Sequence, residues 1–227
     1  MQAAPLAMTR MPRSPFPTRN GAMAGIVTLA VLLATFPLRA VAETWRFDPV
    51  HSQAWFSAPH QGFSYPQGRL RIAQGWFRFD PKDWASAQVD VVLDLASVDL
   101  GDAKWNKAVQ GSALLDVERH PTARYVSRSV ERIDDSRGVI HGELDLRGRR
   151  LPVDVAFTLN RIANDPYAFG RKAGFSASAK LSRSAFGMTR YEDVVGDTIT
   201  LRFEIEGIID RDADKQETGE DSDGDQE

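Results

Sequence analysis

Hydrophobic and polar residues alternate along most of the chain between Thr44 and Ile209. From Phe175 to Ser182, for example, every second side chain is apolar and the intervening residues are serine or lysine. A period of two is typical of β-strands that have one buried face and one solvated face. The predicted strands are Thr44 to Ser57, Gly68 to Phe79, Ala87 to Leu100, Ala123 to Ile133, Val139 to Leu146, Leu151 to Ile162, Lys172 to Ser182 and Thr198 to Gly207.

Short turns join most of these strands, which favours antiparallel neighbours. The clearest is a predicted hairpin turn at Arg147 to Arg150. The one helical candidate, Asp102 to Leu115, is too short to cover the apolar face of an open sheet. Closing the sheet on itself buries that face and removes exposed edges. We therefore predict an all-β fold, an eight-stranded antiparallel barrel with a short helical insert, over residues 43–209.

The N-terminal segment has a basic region, an apolar stretch and small residues in the order typical of an export signal. Residues 1–42 contain four arginines and no acidic residue, and an apolar stretch from Ala22 to Phe36 precedes the small residues Ala40-Val41-Ala42. This order predicts a secretory signal peptide over residues 1–42, cleaved before Glu43. The apolar stretch is shorter than the roughly 20 residues of a spanning helix. We therefore expect a periplasmic protein without a permanent membrane anchor.

Charge and cysteine content exclude several classes of protein. The region from Glu43 to Ile209 has equal numbers of basic and acidic residues, which is not the basic footprint of a nucleic-acid-binding protein. Residues 210–227 contain nine acidic and two basic side chains, which predicts an acidic, disordered tail. Cysteine is absent, so the core and the strand ladders must stabilise the exported protein without disulfides.

No pattern of catalytic residues is present. The four histidines do not form a His-Glu-x-x-His motif, and the chain has no Gly-x-Ser-x-Gly sequence. His51 and His60, with Asp48, are close enough in sequence to meet at one end of the barrel and bind a metal or haem. Histidines that hydrogen-bond to the backbone at strand ends are commoner. We predict no catalytic residue and no metal site.

Several segments, taken together and in order, resemble the YceI-like family of exported bacterial proteins, which is also called polyisoprenoid-binding. They are Trp45 to Ser52, His60 to Ser64, Leu95 to Asp102 with Trp105-Asn106, Leu114 to Asp116, His120 to Ser127, Gly142 to Gly148, Leu151 to Val153, Gly174 to Ala177, Arg183 to Met188 and Val195 to Asp197. The resemblance implies a lipocalin-like barrel with an apolar pocket for a long-tailed amphiphile, such as a polyprenyl chain or an isoprenoid quinone.

A tail of this kind gains about 25 cal/mol per Å² on leaving water, so inward apolar side chains are sufficient to bind it. The inward candidates are Val91, Leu93, Leu144, Leu146, Val153, Val155, Phe157, Phe175, Ala177, Leu201 and Phe203. Each of them is equally compatible with an ordinary close-packed core. Small inward residues such as Ala177 favour a cavity, but they also occur where a solid core tapers.

Three further candidates lie outside the regular strands. Trp105, in the helical insert, is placed to cap one end of the barrel by packing or by gating. Arg183 and Phe186 follow a strand in a segment that ends at Gly187. The arginine is suited to an anionic head group, or it is a structural residue paired with Asp48, Asp99 or Asp102.

We therefore predict a non-enzymatic carrier or binding protein that holds an isoprenoid or another amphiphilic lipid in the barrel. No cofactor is predicted apart from such a bound isoprenoid or quinone. One alternative is an enzyme that acts on a quinone or lipid in the same cavity. A second is a solid barrel that serves as an interaction module. The sequence does not decide between a monomer and a homodimer.

Overall fold

The computed structural model describes residues 42–167 and 170–210. In chain order the strands are β1 (Thr44–Phe47), β2 (Gln53–Ser57), β3 (Gln67–Asp80), β4 (Asp83–Asp99), β5 (Thr122–Arg132), β6 (Arg137–Leu146), β7 (Arg149–Asp165), β8 (Gly170–Ser182) and β9 (Thr198–Ile209). The helix α1 (Ala103–Gln110) lies between β4 and β5. The predicted signal peptide and acidic tail lie outside the described residues, apart from Ala42 and Asp210.

The sheet closes into a barrel. Each strand from β3 to β9 pairs antiparallel with the next, and both β1 and β2 bridge β3 and β9. Because β1 and β2 share one position around the ring, the nine strands form an eight-stranded antiparallel barrel. This confirms the predicted fold class, and closure removes the exposed edges that an open sheet would have.

The first predicted strand was wrong in one respect, because residues 48–52 interrupt it. Asp48 Oδ1 accepts hydrogen bonds from the backbone N–H groups of Val50 (2.9 Å) and His51 (3.2 Å), which closes a local turn. Pro49 between them has no N–H to give to a ladder. Ser52 then bonds to the backbone of Glu206 on β9 and returns the chain to the barrel wall.

Cross-strand register sets which side chains face inward. Val155 pairs with Ala179, Phe157 with Ala177, and Ala177 in turn with Phe203. Paired residues share a face of the sheet, so the alternation read from the sequence places these apolar side chains inside the barrel. The serines and charged residues between them face outward.

The predicted hairpin between β6 and β7 is confirmed and has a two-residue turn. Arg147 and Gly148 both have positive φ, 54° and 71°, as this type of tight hairpin turn requires. The Arg147 guanidinium donates to the carbonyls of Ser112, Leu114 and Gly187. The turn therefore ties together the loops at one end of the barrel.

The helix is shorter than predicted. Asp102 caps its N-terminus by accepting from Lys104 N and Trp105 N, both at 3.0 Å. At its other end Gly111 leaves the helical conformation, and residues 111–117 form turns rather than the helix expected up to Leu115. No helix among the described residues is long and apolar enough to cross a membrane.

Two glycines in the strands make room for aromatic rings inside the barrel. A Cβ atom on Gly142 would lie 2.5 Å from the Tyr125 ring, and one on Gly207 would lie 2.2 Å from the Phe77 ring. The glycines let these rings approach the backbone more closely than any side chain would allow. This packing keeps large apolar side chains at the barrel wall.

Candidate ligand-binding cavity

The barrel encloses an apolar cavity of about 560 Å³. Its wall comes from the inward side chains of every strand position, including Leu70 and Ile72 of β3, and Ile199 and Ile205 of β9. A volume of this size lies within the roughly 300–1,000 Å³ of typical ligand pockets. The interior therefore has room for a small apolar molecule and is not a solid core.

One end of the cavity is closed by aromatic residues. We call Trp45, Phe77, Phe79, Trp84, Phe157 and Phe175 the aromatic floor; all six are buried and belong to one packed cluster. Phe175 makes edge contacts with Phe77 and Phe79, at centroid distances of 5.5 and 5.2 Å, and Trp84 stacks on Phe157 at 5.4 Å. Such pairs add to the burial energy of the rings. Because the rings are buried and packed against one another, they close this end of the cavity.

The opposite end is bounded by three long connections, residues 58–66, 100–121 and 183–197, and by the β6–β7 turn. The first and third are bonded together: Gln61 N donates to Val194 O, and Gly196 N donates to Pro59 O, both at 2.9 Å. Trp105 of α1 contacts His60 with ring centroids 5.7 Å apart. Trp105 and Tyr191 line the cavity and are 43% and 51% exposed. The cavity therefore opens to solvent at this end, which we call the mouth.

Most polar side chains of the lining are already bonded. The single hydroxyl proton of Tyr125 is shared between the carbonyl oxygens of Ile140 (3.2 Å) and Val153 (3.0 Å). Burial, with a smaller contribution from the Asp154 charge, raises the pKa of Tyr125. Arg78 Nε donates to Thr44 Oγ1 at 3.0 Å. The middle of the cavity thus offers a ligand almost only apolar contacts.

Arg183 is buried, and it is held by backbone carbonyls instead of the carboxylates that the sequence suggested. Its guanidinium donates to the carbonyls of Met188, Arg190, Val195 and Gly196. Asp48, Asp99 and Asp102, the predicted partners, do not bond to it. Arg183 therefore folds the 183–197 connection over the mouth, and these bonds use most of its donors.

The structure places thirteen of the fourteen predicted ligand-binding residues on the cavity wall. They are Val91, Leu93, Trp105, Leu144, Leu146, Val153, Val155, Phe157, Phe175, Ala177, Arg183, Leu201 and Phe203. Phe186 is the exception: it is 2% exposed and packs in a buried cluster with residues such as Leu181 and Met188, but it does not line the cavity.

Two groups of lining residues were not predicted from the sequence. The first lies on predicted strands and includes Phe47, Leu70, Ile72, Val89, Tyr125 and Ile205. Alternation along their strands was the sequence signal that could have identified them as inward residues. The second group comes from the connections at the mouth and includes Pro59, His60, Leu100, Val109, Tyr191 and Val195. These connections have no hydrophobic period, so no sequence signal places them at the cavity.

The metal or haem site considered for Asp48, His51 and His60 is not assembled, because His60 lies at the mouth. Asp48, His51 and Glu206 do meet on the barrel wall, with ligand atoms within 4.8 Å of one another. Lys172 Nζ lies 3.0 Å from Glu206, 3.1 Å from Asp165 and 3.6 Å from Asp48. Its ammonium group is the counter-charge of the cluster, and hydrogen bonds to Glu206 and Asp165 raise the pKa of Lys172.

A closed antiparallel barrel with a sealed floor and an apolar interior that opens at one end defines a class of small-molecule-binding barrels. Residues 45–207 match the model of the YceI-like domain, and the chain belongs to this family. It is 30% identical over 186 residues to a UPF0312 protein of Serratia proteamaculans, a match that covers 81% of this chain and 95% of that protein.

Solved structures show the same fold. BcnA of Burkholderia cenocepacia matches with a TM-score of 0.64 and 23% identity, covering 70% of this chain and 98% of BcnA. A polyisoprenoid binding domain from Saccharophagus degradans matches with a TM-score of 0.58 and 13% identity, covering 75% of this chain and 99% of that domain. At these identities the similarity concerns the fold.

Proposed function

We propose that this protein binds an amphiphilic lipid, with its long apolar tail inside the barrel, and that it carries or sequesters this lipid in the periplasm. The observation that carries the proposal is the 560 Å³ apolar cavity, sealed by the aromatic floor and open at the mouth. An isoprenoid is the proposed tail, and the fold shared with a polyisoprenoid binding domain supports this choice.

A binding role is favoured over catalysis in the same cavity. The lining polar groups in the described part of the chain include Tyr125 and Arg183, whose donors are directed to backbone carbonyls. These two groups stabilise the wall and are not free to transfer protons, and the imidazole of His60, which is unbonded, has no acid or base hydrogen-bonded to it among the described residues. An apolar wall gives affinity for a tail without any reaction.

Native mass spectrometry of the protein, released from the periplasm without detergent, tests the proposal. We expect one bound lipid per chain, identified after solvent extraction as an isoprenoid or isoprenoid quinone. The same spectrum reports whether the chain begins at Glu43 and whether it is a monomer or a dimer. A protein that is empty as isolated and also takes up no added isoprenoid contradicts the proposal.

A further inference from the structure

The polar groups at the mouth are those that a head group would meet when a tail fills the cavity. In the lining they are the side chains of His60, Arg183 and Tyr191 and the indole N–H of Trp105. Arg183 donates four hydrogen bonds to carbonyls of the 183–197 connection. Tyr191 is half exposed at the edge of the opening. Trp105 offers only a donor, so His60 is the more enclosed of the two unbonded side chains here that can both donate and accept a hydrogen bond.

The position of His60 is fixed although its ring is free to bind. Its backbone forms bridges to Ser64 on one side and to Val195 on the other. The imidazole contacts the Trp105 ring, and among the described residues it has no hydrogen-bond partner. The ring nitrogens are thus held beside the cavity with their hydrogen-bonding capacity unused.

The chemistry of the mouth selects between kinds of head group. A neutral imidazole offers one hydrogen-bond donor and one acceptor, which fits a hydroxyl or a carbonyl oxygen. A phosphate carries more charge and is bound best by several donors, arginine above all. The arginine that lines the mouth is already bonded, and Lys104 and Lys107 of α1 are exposed and do not line the cavity.

We propose that His60, beside Trp105, hydrogen-bonds the head group of the bound lipid, and that the protein prefers lipids with an uncharged oxygen head group to the corresponding phosphates. This inference rests on the proposed function, because it requires a tail in the cavity. It adds the residue that orients the lipid and the class of head group that the site accepts.

Binding of three matched ligands tests the inference: geranylgeraniol, geranylgeranyl monophosphate and the branched hydrocarbon phytane. Each is added to the delipidated full-length mature protein, and binding is followed by native mass spectrometry and by Trp fluorescence. The wild type is expected to bind the alcohol about 10-fold more tightly than the monophosphate. In His60→Phe, which keeps an aromatic ring next to Trp105, affinity for the alcohol is expected to fall about 5-fold, the effect of one hydrogen bond.

Two variants serve as controls. His60→Gln retains a donor and an acceptor and is expected to bind the alcohol within about 2-fold of the wild type. His141→Phe removes an imidazole from the outer surface, where it bonds to Asp154 at 2.8 Å, and is expected to leave binding unchanged. Phytane affinity is expected to be equal in all four proteins, because the hydrocarbon has no head group.

The outcomes separate this inference from the proposed function. Equal or tighter binding of the monophosphate by the wild type, or unchanged binding of the alcohol by a folded His60→Phe protein, overturns the head-group assignment while the container remains. A wild type that binds neither phytane nor geranylgeraniol overturns the proposed function, and the assignment with it.

Discussion

Ala177 lies on the cavity wall between two larger inward side chains, Phe157 of β7 and Phe203 of β9. Its methyl group leaves space that a tail would occupy. In Ala177→Trp, the indole is expected to fill this space and lower the lipid content by about an order of magnitude, since overpacking typically costs ~1–3 kcal/mol and 1.4 kcal/mol is tenfold in affinity. Quantitative lipid extraction from equal amounts of the folded variant and wild type measures the change.

The neighbouring residue provides the matched control. Ser178 is exposed and faces outward, so Ser178→Trp adds the same side chain outside the barrel. We expect this variant to keep its lipid. If Ala177→Trp folds, as judged by near-UV circular dichroism, and retains a full complement of lipid, Ala177 does not bound the binding site.

At this scale the sequence predicted which side chains face inward, because alternation alone determines the face of a strand. Eleven predicted strand residues line the cavity for this reason, whereas Trp105 and Arg183 line it from outside the strands. The sequence did not predict what Arg183 contacts. The bonded carbonyls belong to residues 188–196, and only the fold of that connection brings them around one guanidinium. Phe186 is in the same connection, and no period indicated which way it turns.

Among the elements, the 183–197 connection depends on Arg183 because one buried cation supplies hydrogen bonds to four of its carbonyls. Leaving buried polar groups without partners costs ~1–3 kcal/mol each. For Arg183→Met we expect the free energy of unfolding to fall by roughly 3 kcal/mol, and hydrogen exchange to accelerate in residues 184–197. Urea denaturation and exchange mass spectrometry measure the two effects.

Arg202→Met is the control for lost charge and changed length, because Arg202 is exposed on the outer face of β9. It is expected to leave both measurements near the wild type. If Arg183→Met matches the wild type in stability and in exchange of residues 184–197, the connection does not depend on the guanidinium.

The turn at residues 48–52 makes stability depend on pH. Burial by itself would raise the pKa of Asp48, but hydrogen bonds from the His51 side chain and from Val50 N and His51 N outweigh it and lower the pKa to about 2. A carboxyl group whose pKa is depressed in the folded state stabilises it above the unfolded pKa of ~3.9. This stabilisation is lost as pH falls through about 2.

Asp48→Asn isolates the charge, because the amide oxygen can still accept from the two backbone N–H groups. We expect the variant to be less stable than the wild type at pH 6, and the difference to shrink as pH falls from about 4 towards 2. Urea denaturation at a series of pH values measures the difference. If the difference in the free energy of unfolding stays constant over this pH range, the ionised carboxylate does not stabilise the turn.

The strands and the helix show which elements the sequence pattern was sufficient to predict. Seven of the eight predicted strands occur with boundaries shifted by a few residues, because their alternation is long and regular. The first was predicted as one strand because Trp55 continues the alternation of Trp45 and Phe47, but after the turn the inward residues are Ala54 and Phe56. Helix α1 ends early for a similar reason: Val109, Leu114 and Leu115 are apolar, but the chain turns at Gly111.

At the scale of the whole molecule, closure of the sheet sets the width of the barrel interior. Eight strand positions give an interior just wide enough to be filled by side chains or to hold one small ligand. In this barrel the interior is filled at one end and hollow towards the other. The aromatic floor fills the first end, and smaller aliphatic residues leave space nearer the mouth. The sequence left the choice between a solid and a hollow interior open, since it depends on where the rings pack across strands.

A hollow interior implies that the ligand stabilises the protein. A ligand that binds only the folded state at 100 times its dissociation constant adds ~2.7 kcal/mol, which corresponds to a rise in Tm of about 5–10 °C for a domain of this size. We expect this rise when geranylgeraniol is added to the delipidated protein, as measured by differential scanning calorimetry. In Ala177→Trp no rise is expected, because the cavity is blocked. If bound lipid is detected by mass spectrometry and the Tm of the wild type does not change, the lipid adheres to the surface and the barrel interior is not its site.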